Sequence, residues 1–174
     1  MKKLFTIALL ATGIMTALNA NAQEDKSKRP SPPAKVQQEL KSGALISINY
    51  SQPSVKGREI GKDLEPMEGK VWRTGANEAT IFETNQALSI MGKQLPAGKY
   101  SLFTIYNGRE ATVIFNKTWE QWGAYDYKET DDQLRIKTKI TTNASPIEKM
   151  IFDISPEGKV SLNWGNKRLE FMIQ

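Results

Sequence analysis

The chain has 174 residues, with 24 Lys plus Arg, 19 Asp plus Glu, no His and no Cys. The absence of His and Cys excludes Ser-His-Asp and Cys-His catalytic sites, and it excludes metal sites built from imidazole or thiolate ligands. A hydrophobic share of 39% and a charged share of 25% are typical of a folded globular domain rather than of a disordered chain.

The first 22 residues have the pattern of a secretory signal peptide. Lys2 and Lys3 precede an apolar run from Leu4 to Leu18, and Ala20-Asn21-Ala22 is a small-x-small cleavage site. The run is shorter than the roughly 20 apolar residues of a membrane span, and no later segment is apolar enough to be one. We therefore expect cleavage after Ala22 and a periplasmic or secreted protein.

Cleavage would leave 152 residues with a formal charge of +3. That charge is too small to indicate a nucleic-acid-binding protein. The length suits a single domain that is stable without disulfides.

Residues 23–33, QEDKSKRPSPP, are charged and proline-rich without apolar periodicity, so we expect a disordered linker that carries no chemistry. Residues 34–174 are then one domain. Within it, Ala34 to Leu40 is the only short helix candidate.

From Lys35 onward, β-branched and aromatic residues alternate with polar ones, which predicts strands. The clearest case places Leu134, Ile136, Thr138 and Ile140 on one face and Arg135, Lys137 and Lys139 on a solvated face. The other strand candidates are 46–50, 79–84, 88–91, 99–106, 111–116, 150–154, 160–164 and 169–173. Because Leu102 and Phe103 are both apolar, the strand from Tyr100 is expected to be covered on both faces and central.

Five turn signals separate these runs and are hairpin candidates: 96–98, 107–108, 143–146, 156–158 and 165–166. Asn107-Gly108 is the strongest, because both residues tolerate the positive φ of a type I′ turn. About nine short strands at hairpin spacing predict an all-β fold, a single antiparallel β-sandwich or barrel. The jelly-roll-like and immunoglobulin-like strand orders remain open.

Two polar segments are longer than a hairpin requires, and long loops often carry function. The first, residues 54–80, contains Lys56, Arg58, Trp72, Arg73, Asn77 and Glu78. The second, residues 117–128, contains Trp119, Glu120, Trp122 and Asp126. With the exception of Glu120, these are the residues predicted to bind a ligand.

Three stretches resemble the secreted bacterial proteins grouped as domain of unknown function 2911. They are YSQPSVKGREIG at 50–61, VWRTGANEAT at 71–80, and LPAGKYSLFTI with its continuation to VIFNKTWEQWGAYDY at 95–127. With the terminal strands, the resemblance spans the chain from about residue 34 to the end. It implies an exported β-rich domain, and it implies no established activity.

The first segment offers groups for an anion. Arg73 has a planar fork for a carboxylate or phosphate, Asn77 can donate and accept, and Lys56 and Arg58 add positive charge. The alternative is that Arg73 and Glu78 pair with each other or cap loop backbone, with Trp72 filling the edge of the core.

The second segment offers groups for a sugar, since Trp119 and Trp122 provide flat faces beside carboxylates and amides. The alternative is that both indoles pack the loop onto the sandwich. The solvent exposure of the two indoles decides between these interpretations.

We expect a non-catalytic binding module for a carbohydrate or small anion, without cofactor, metal, nucleic acid or membrane span. One alternative is a hydrolase that uses Glu78 with Glu120 or Asp126, which needs two carboxyl groups of different pKa in one cleft. Another alternative is a structural envelope protein. The sequence leaves the oligomeric state open.

Overall fold

The structure, a computed structural model, describes residues 25–174. The predicted signal peptide therefore lies outside the described residues. Residues 25–174 contain ten strands: β1 Pro33–Glu39, β2 Leu45–Ser51, β3 Val71–Trp72, β4 Thr80–Thr84, β5 Leu88–Ile90, β6 Lys93–Leu95, β7 Gly98–Asn107, β8 Glu110–Asn116, β9 Asp132–Ile154 and β10 Lys159–Met172. Two three-residue 3-10 helices, Lys26–Lys28 and Glu129–Asp131, are also present. The predicted all-β fold is confirmed.

The strands form one large antiparallel sheet that curls over itself, with a small second sheet. The large sheet has the order β1-β2-β4-β7-β8-β9-β10, with β3 also paired to β7. β5 pairs with β6 in the second sheet, and Ile90 of β5 also bridges Ile173 just after β10. Residues just after β2 return to β9, because the Val55 amide donates to Glu148 O and the Met150 amide donates to Pro53 O. These bonds bring the two ends of the sheet together around a common interior.

The inner face of the curled sheet carries the main core. Phe82, Phe115 and Phe171 meet there edge to face, with ring centroids 5.1 and 6.0 Å apart, an arrangement that aromatic pairs favour. A smaller cluster of Ala79, Phe103 and Ile114 lies apart from this core, with Ala124 and Tyr127 packed against it. Because Leu102 and Phe103 are both fully buried in β7, the prediction of a central strand is confirmed.

The alternation predicted for the first part of β9 is also confirmed. Leu134 and Ile136 are buried, whereas Lys137 and Lys139 are exposed. Arg135 differs from the expected solvated face, because it is only partly exposed and is paired with acidic residues.

Two of the predicted turns are wrong, because 143–146 and 165–166 lie inside the long strands β9 and β10. The register between the two strands shifts on both sides of Gly165. Gly165 has a φ of 53°, and the Asn143 side-chain amide donates to Gly165 O and Lys167 O at 3.0 Å each. A glycine at positive φ and a side-chain amide that bonds backbone carbonyls suit a bulge as well as a turn, so the two are not distinguished by residue type here.

The other turn signals had different outcomes. Residues 156–158 join β9 to β10 in a hairpin, as predicted. Residues 96–98 join β6 to β7, which do not pair with each other. The β7–β8 hairpin is present, but Asn107 pairs with Glu110, so Gly108 and Arg109 are the central residues. Only Gly108 has positive φ, 61°, as in a type II′ rather than a type I′ turn.

The helix predicted at Ala34 to Leu40 is wrong, because these residues lie mostly in β1. Val36 pairs with Ile48 of β2, and Ala34 and Val36 pack against the core while their neighbours are exposed. The burial therefore alternates with period two. Tertiary pairing overrides the helix propensity of the Gln and Glu residues here.

The segment before β1 differs from the expected linker. Residues 26–28 form a 3-10 helix, and Lys26 and Arg29 contact the body of the domain at Glu78. No helix in the described part of the chain is long and apolar enough to cross a membrane.

Candidate functional site

The two long polar segments meet in space through a short antiparallel bridge. Glu78 pairs with Trp122, the Ala79 amide donates to Gln121 O at 3.0 Å, and the Gly123 amide donates to Asn77 O at 3.1 Å. One hydrogen bond lies on each side of Glu78 and Trp122, so these two residues form a non-hydrogen-bonded antiparallel pair. In such a pair the two side chains lie close together on one face.

The loop from Arg73 to Ala79 is held by hydrogen bonds between its own residues and neighbouring strands. The Thr80 hydroxyl donates to Thr74 O at 2.8 Å, and the hydroxyls of Thr74 and Thr104 are 3.2 Å apart. The side-chain amide of Asn77 donates to Ser31 O at 3.0 Å. Thr74 and Asn77 have φ of 52° and 58°, and positive φ is costly for a β-branched residue such as Thr74.

A network of polar side chains anchors the second segment to β9. Asp132 accepts hydrogen bonds from Tyr127 Oη and Arg135 Nε at 2.7 Å each and from Asn116 Nδ2 at 2.8 Å. Burial, together with the hydrogen bond to Asp132, raises the pKa of Tyr127 to about 12. The Tyr127 ring also contacts Phe103, with centroids 5.0 Å apart. The loop that carries Trp119 and Trp122 is thus fixed on the outside of the sheet.

Glu78 is held by two cations from the N-terminal segment. Lys26 Nζ lies 2.7 Å from Glu78 Oε1, and Arg29 Nη1 lies 3.0 Å from both carboxylate oxygens. Burial alone would raise the pKa of Glu78, but hydrogen bonds from Lys26, its own backbone and Arg29 lower it to about 2. Arg29 also lies over the Trp122 ring, 5.8 Å from its centroid.

A groove of about 500 Å³ opens beside Glu78 and Trp122. We call it the Trp122 groove. It is lined by Lys26, Glu78, Ala79, Ile81, Trp119, Glu120, Gln121 and Trp122. Trp122 is 52% exposed, whereas Trp119 is partly buried and has Lys99 Nζ 5.0 Å from its ring centroid. A second hollow of about 360 Å³ shares Lys26, Glu78, Ala79 and Ile81 and extends along β1 and β2.

Three of the predicted ligand residues therefore line one groove: Glu78, Trp119 and Trp122. Asn77 is adjacent, but its amide nitrogen is already bonded to Ser31 O. Asp126 is exposed and does not line the groove.

Trp72 belongs to the core rather than to a binding surface. It is 2% exposed, its Nε1 donates to Gly75 O at 3.0 Å, and its ring stacks on Trp164 at 5.8 Å. Its position on β3, opposite Thr104, directs the indole into the interior. The interpretation that placed it at the edge of the core was the better one.

Lys56 and Arg58 lie at another site and do not join Arg73 in a cationic pocket. Arg58 donates to Val55 O and Ser54 O, and it lines a groove of about 380 Å³ with Glu148 and Lys167. That groove and the Trp122 groove have no lining residue in common. Folding of residues 54–60 against β9 separates these cations from the Glu78 loop.

The alternative in which Arg73 pairs with Glu78 is wrong, because Lys26 and Arg29 occupy the carboxylate. Sequence reasoning missed both of these cations, since they lie in the expected linker. Their only signal was the basic run KSKR beside prolines, which does not indicate a partner about 50 residues away.

Comparison with known proteins shows which family this chain belongs to. A family described as a protein of unknown function (DUF2911) matches residues 31–173. No curated protein matches the chain, and no solved structure matches it. The match covers nearly all of the described residues, including both loops that form the groove. The chain therefore belongs to the DUF2911 family.

Proposed function

We propose that this protein is an exported, non-catalytic module that binds a neutral oligosaccharide in the Trp122 groove. The observation that carries the proposal is the half-exposed indole of Trp122 beside Glu78, in a groove that also presents Trp119, Glu120 and Gln121. A sugar ring has an apolar face of C–H groups and hydroxyls at its edge. Stacking on an indole and hydrogen bonding to carboxylates suit these two parts.

The exposed part of Trp122 sets the size of the expected effect. An aromatic side chain offers about 150–250 Å², so at the middle of that range 52% exposure leaves roughly 100 Å² available for stacking. At about 25 cal/mol per Å², covering that area contributes at most about 2.5 kcal/mol. Such a contribution corresponds to an affinity change of up to about 60-fold.

The state of Glu78 disfavours the alternative of a carboxylate hydrolase. With a pKa of about 2, Glu78 is ionised at neutral pH and cannot donate a proton as a general acid. Its two oxygens are already bonded to Lys26 and Arg29, which also weakens it as a base. A carboxylate oxygen has two lone pairs, so an oxygen already paired with Arg29 can still accept a hydrogen bond from a sugar hydroxyl.

The test is a glycan array followed by calorimetry on the best neutral oligosaccharide. Trp122→Ala should weaken binding between 10-fold and about 60-fold. The matched control is Tyr125→Ala, which removes an aromatic ring that is 81% exposed but does not line the groove. Its affinity should equal that of the unmodified protein. Equal affinities in all three proteins, or no neutral glycan bound, would refute the proposal.

Export has a separate test. The full-length gene should yield a protein in the periplasmic or extracellular fraction whose N-terminus is Gln23. A product that retains Lys2 and Lys3 and stays in the cytoplasm would contradict export.

A further inference from the structure

Arg73 has an unused guanidinium group. Its Nε is buried without a hydrogen-bond partner, and among residues 25–174 the side chain makes neither a hydrogen bond nor an ion pair. A guanidinium has five N–H donors, which are normally bonded when they leave water. Nη1 and Nη2 are not among the buried unpaired atoms, so the two ends of the fork remain open to solvent and to an incoming anion that would pair with the charge.

Arg73 lies beside Gly123, next to the loop bridge, and it does not line the Trp122 groove. Arg73 Nη1 lies 3.3 Å from the position that a Cβ on Gly123 would occupy, and the Tyr125 ring approaches the same position to 2.9 Å. Arg73 and Tyr125 therefore both adjoin Gly123, and neither of them lines the Trp122 groove.

The backbone around Arg73 is fixed on both sides. Trp72 is locked in the core, the Thr80 amide donates to Arg73 O at 3.1 Å, and Thr74 holds a φ of 52°. A strained residue that the surrounding bonds hold in place is common at ligand sites. The Arg73 backbone is thus fixed before a ligand arrives, which lowers part of the ordering cost of binding.

The second component of the site is an exposed aromatic surface. Tyr125 is 81% exposed, so most of its ring is available to a ligand. The ring lies beside the guanidinium at Gly123. A ligand that combines an anionic group with a flat apolar part can contact both.

We propose that Arg73 and Tyr125 form a binding site for a small carboxylic acid, separate from the Trp122 groove. The planar fork of Arg73 matches a carboxylate with two parallel N–H···O bonds. A single guanidinium carries one positive charge, which balances a carboxylate and leaves a phosphate dianion under-compensated. Tyr125 contacts the apolar part of the acid.

The experiment is a titration of the exported chain with benzoate, followed through the Nε–Hε signals of its arginines by NMR. The Arg73 signal should shift and saturate at millimolar benzoate, and it should not move with benzamide, which has the same shape without the charge. Phosphate and sulfate should bind at least about tenfold more weakly than benzoate. No saturable shift of Arg73, or tighter binding of phosphate, would overturn the proposal.

Variants separate a binding role from a structural one. Arg73→Met should abolish saturable binding, whereas Arg73→Lys, which keeps the charge and loses the fork, should weaken it about tenfold. The matched control is Arg58→Met, whose guanidinium is bonded to carbonyls elsewhere, and it should bind benzoate normally. Binding that persists in Arg73→Met contradicts the site. Because the titration of the unmodified protein already reports on Arg73, a folding defect in a variant leaves the test intact.

Two further variants test the contact between the ligand and the Tyr125 ring, and the independence of this site from the Trp122 groove. Tyr125→Ala should weaken benzoate more than acetate, because only benzoate contacts the ring, and an equal effect on both would contradict that contact. Trp122→Ala should leave benzoate affinity unchanged, so failure of the oligosaccharide proposal and failure of this one give different results.

Discussion

Replacing Glu78 with Gln tests how the N-terminal segment is attached to the domain. The substitution removes the charge that Lys26 and Arg29 share, while the amide oxygen of Gln can still accept one hydrogen bond. The side chains of Lys26 and Glu78 are 51% and 36% exposed, so their pair is screened by solvent and contributes at most about 1 kcal/mol. Arg29 is 14% exposed, so its loss of a partner costs about as much again or slightly more.

The expected total is about 1–2 kcal/mol, which increases the detached fraction of residues 25–31 about 5- to 30-fold. Limited trypsin digestion measures this fraction, because cleavage after Lys26 and Lys28 follows the open population when opening is fast. Glu78→Gln should be cut about 5- to 30-fold faster than the unmodified chain.

The matched control is Glu83→Gln. Glu83 lies 3.7 Å from Lys99, with both side chains 43% exposed, so its loss should leave the cleavage rate unchanged. If Glu78→Gln and the unmodified protein are cut at the same rate, Glu78 does not hold the segment.

Three further predictions concern charge and backbone geometry. The pKa of Glu78 is about 2 against an ordinary 4.5, so its pairing stabilises the fold fully above pH 4.5, and this contribution is lost as the pH falls toward 2. A ¹³C titration of the Glu78 carboxyl should have its midpoint near pH 2. A midpoint near 4.5 would show that the pairs do not form. Asp132→Asn should lower the free energy of unfolding by about 2–3 kcal/mol, because the Asp132 side chain is 7% exposed and bonded to Arg135. The control Asp126→Asn should stay within about 0.5 kcal/mol of the unmodified protein. Equal urea midpoints for the two variants would contradict this. Gly158→Ala should lower the free energy of unfolding by more than about 3 kcal/mol, since its Cβ would lie 2.1 Å from Ile173 O. Gly43→Ala has no neighbour within 4 Å, so it should lower the same free energy by only about 1 kcal/mol through backbone strain. Similar losses of thermal stability in the two variants would show that the contact with Ile173 does not matter.

The parts of the fold that follow from local pattern could be predicted from the sequence. Alternation in residues 134–140 identified a half-buried strand, and adjacent apolar residues at Leu102 and Phe103 identified the central one. The errors arose where local chemistry is ambiguous. Gly165 and Asn143 serve a bulge instead of a turn, and Val36 pairs with Ile48 in a segment rich in helix-forming residues.

The candidate site depends on contacts between residues far apart in the chain. The sequence identified both loops, and with them Glu78, Trp119 and Trp122. It did not determine that Glu78 pairs with Trp122, or that Lys26 reaches a carboxylate 52 residues away. Composition and spacing report local preferences, whereas the curl of the sheet decides which loops meet. For the same reason, Arg58 and Arg73 looked like one cluster in the sequence but lie apart in the fold.

Hydrogen exchange at the amides of Ala79 and Gly123 tests the convergence of the two loops most directly. These amides donate the two bonds that join residues 77–79 to residues 121–123. If the loops are joined in solution, both amides should exchange at least about 100-fold more slowly than freely exposed loop amides and at similar rates to each other. Rapid exchange at both positions, while the amides of β7 and β8 stay protected, would contradict the joined loops and the groove that they form.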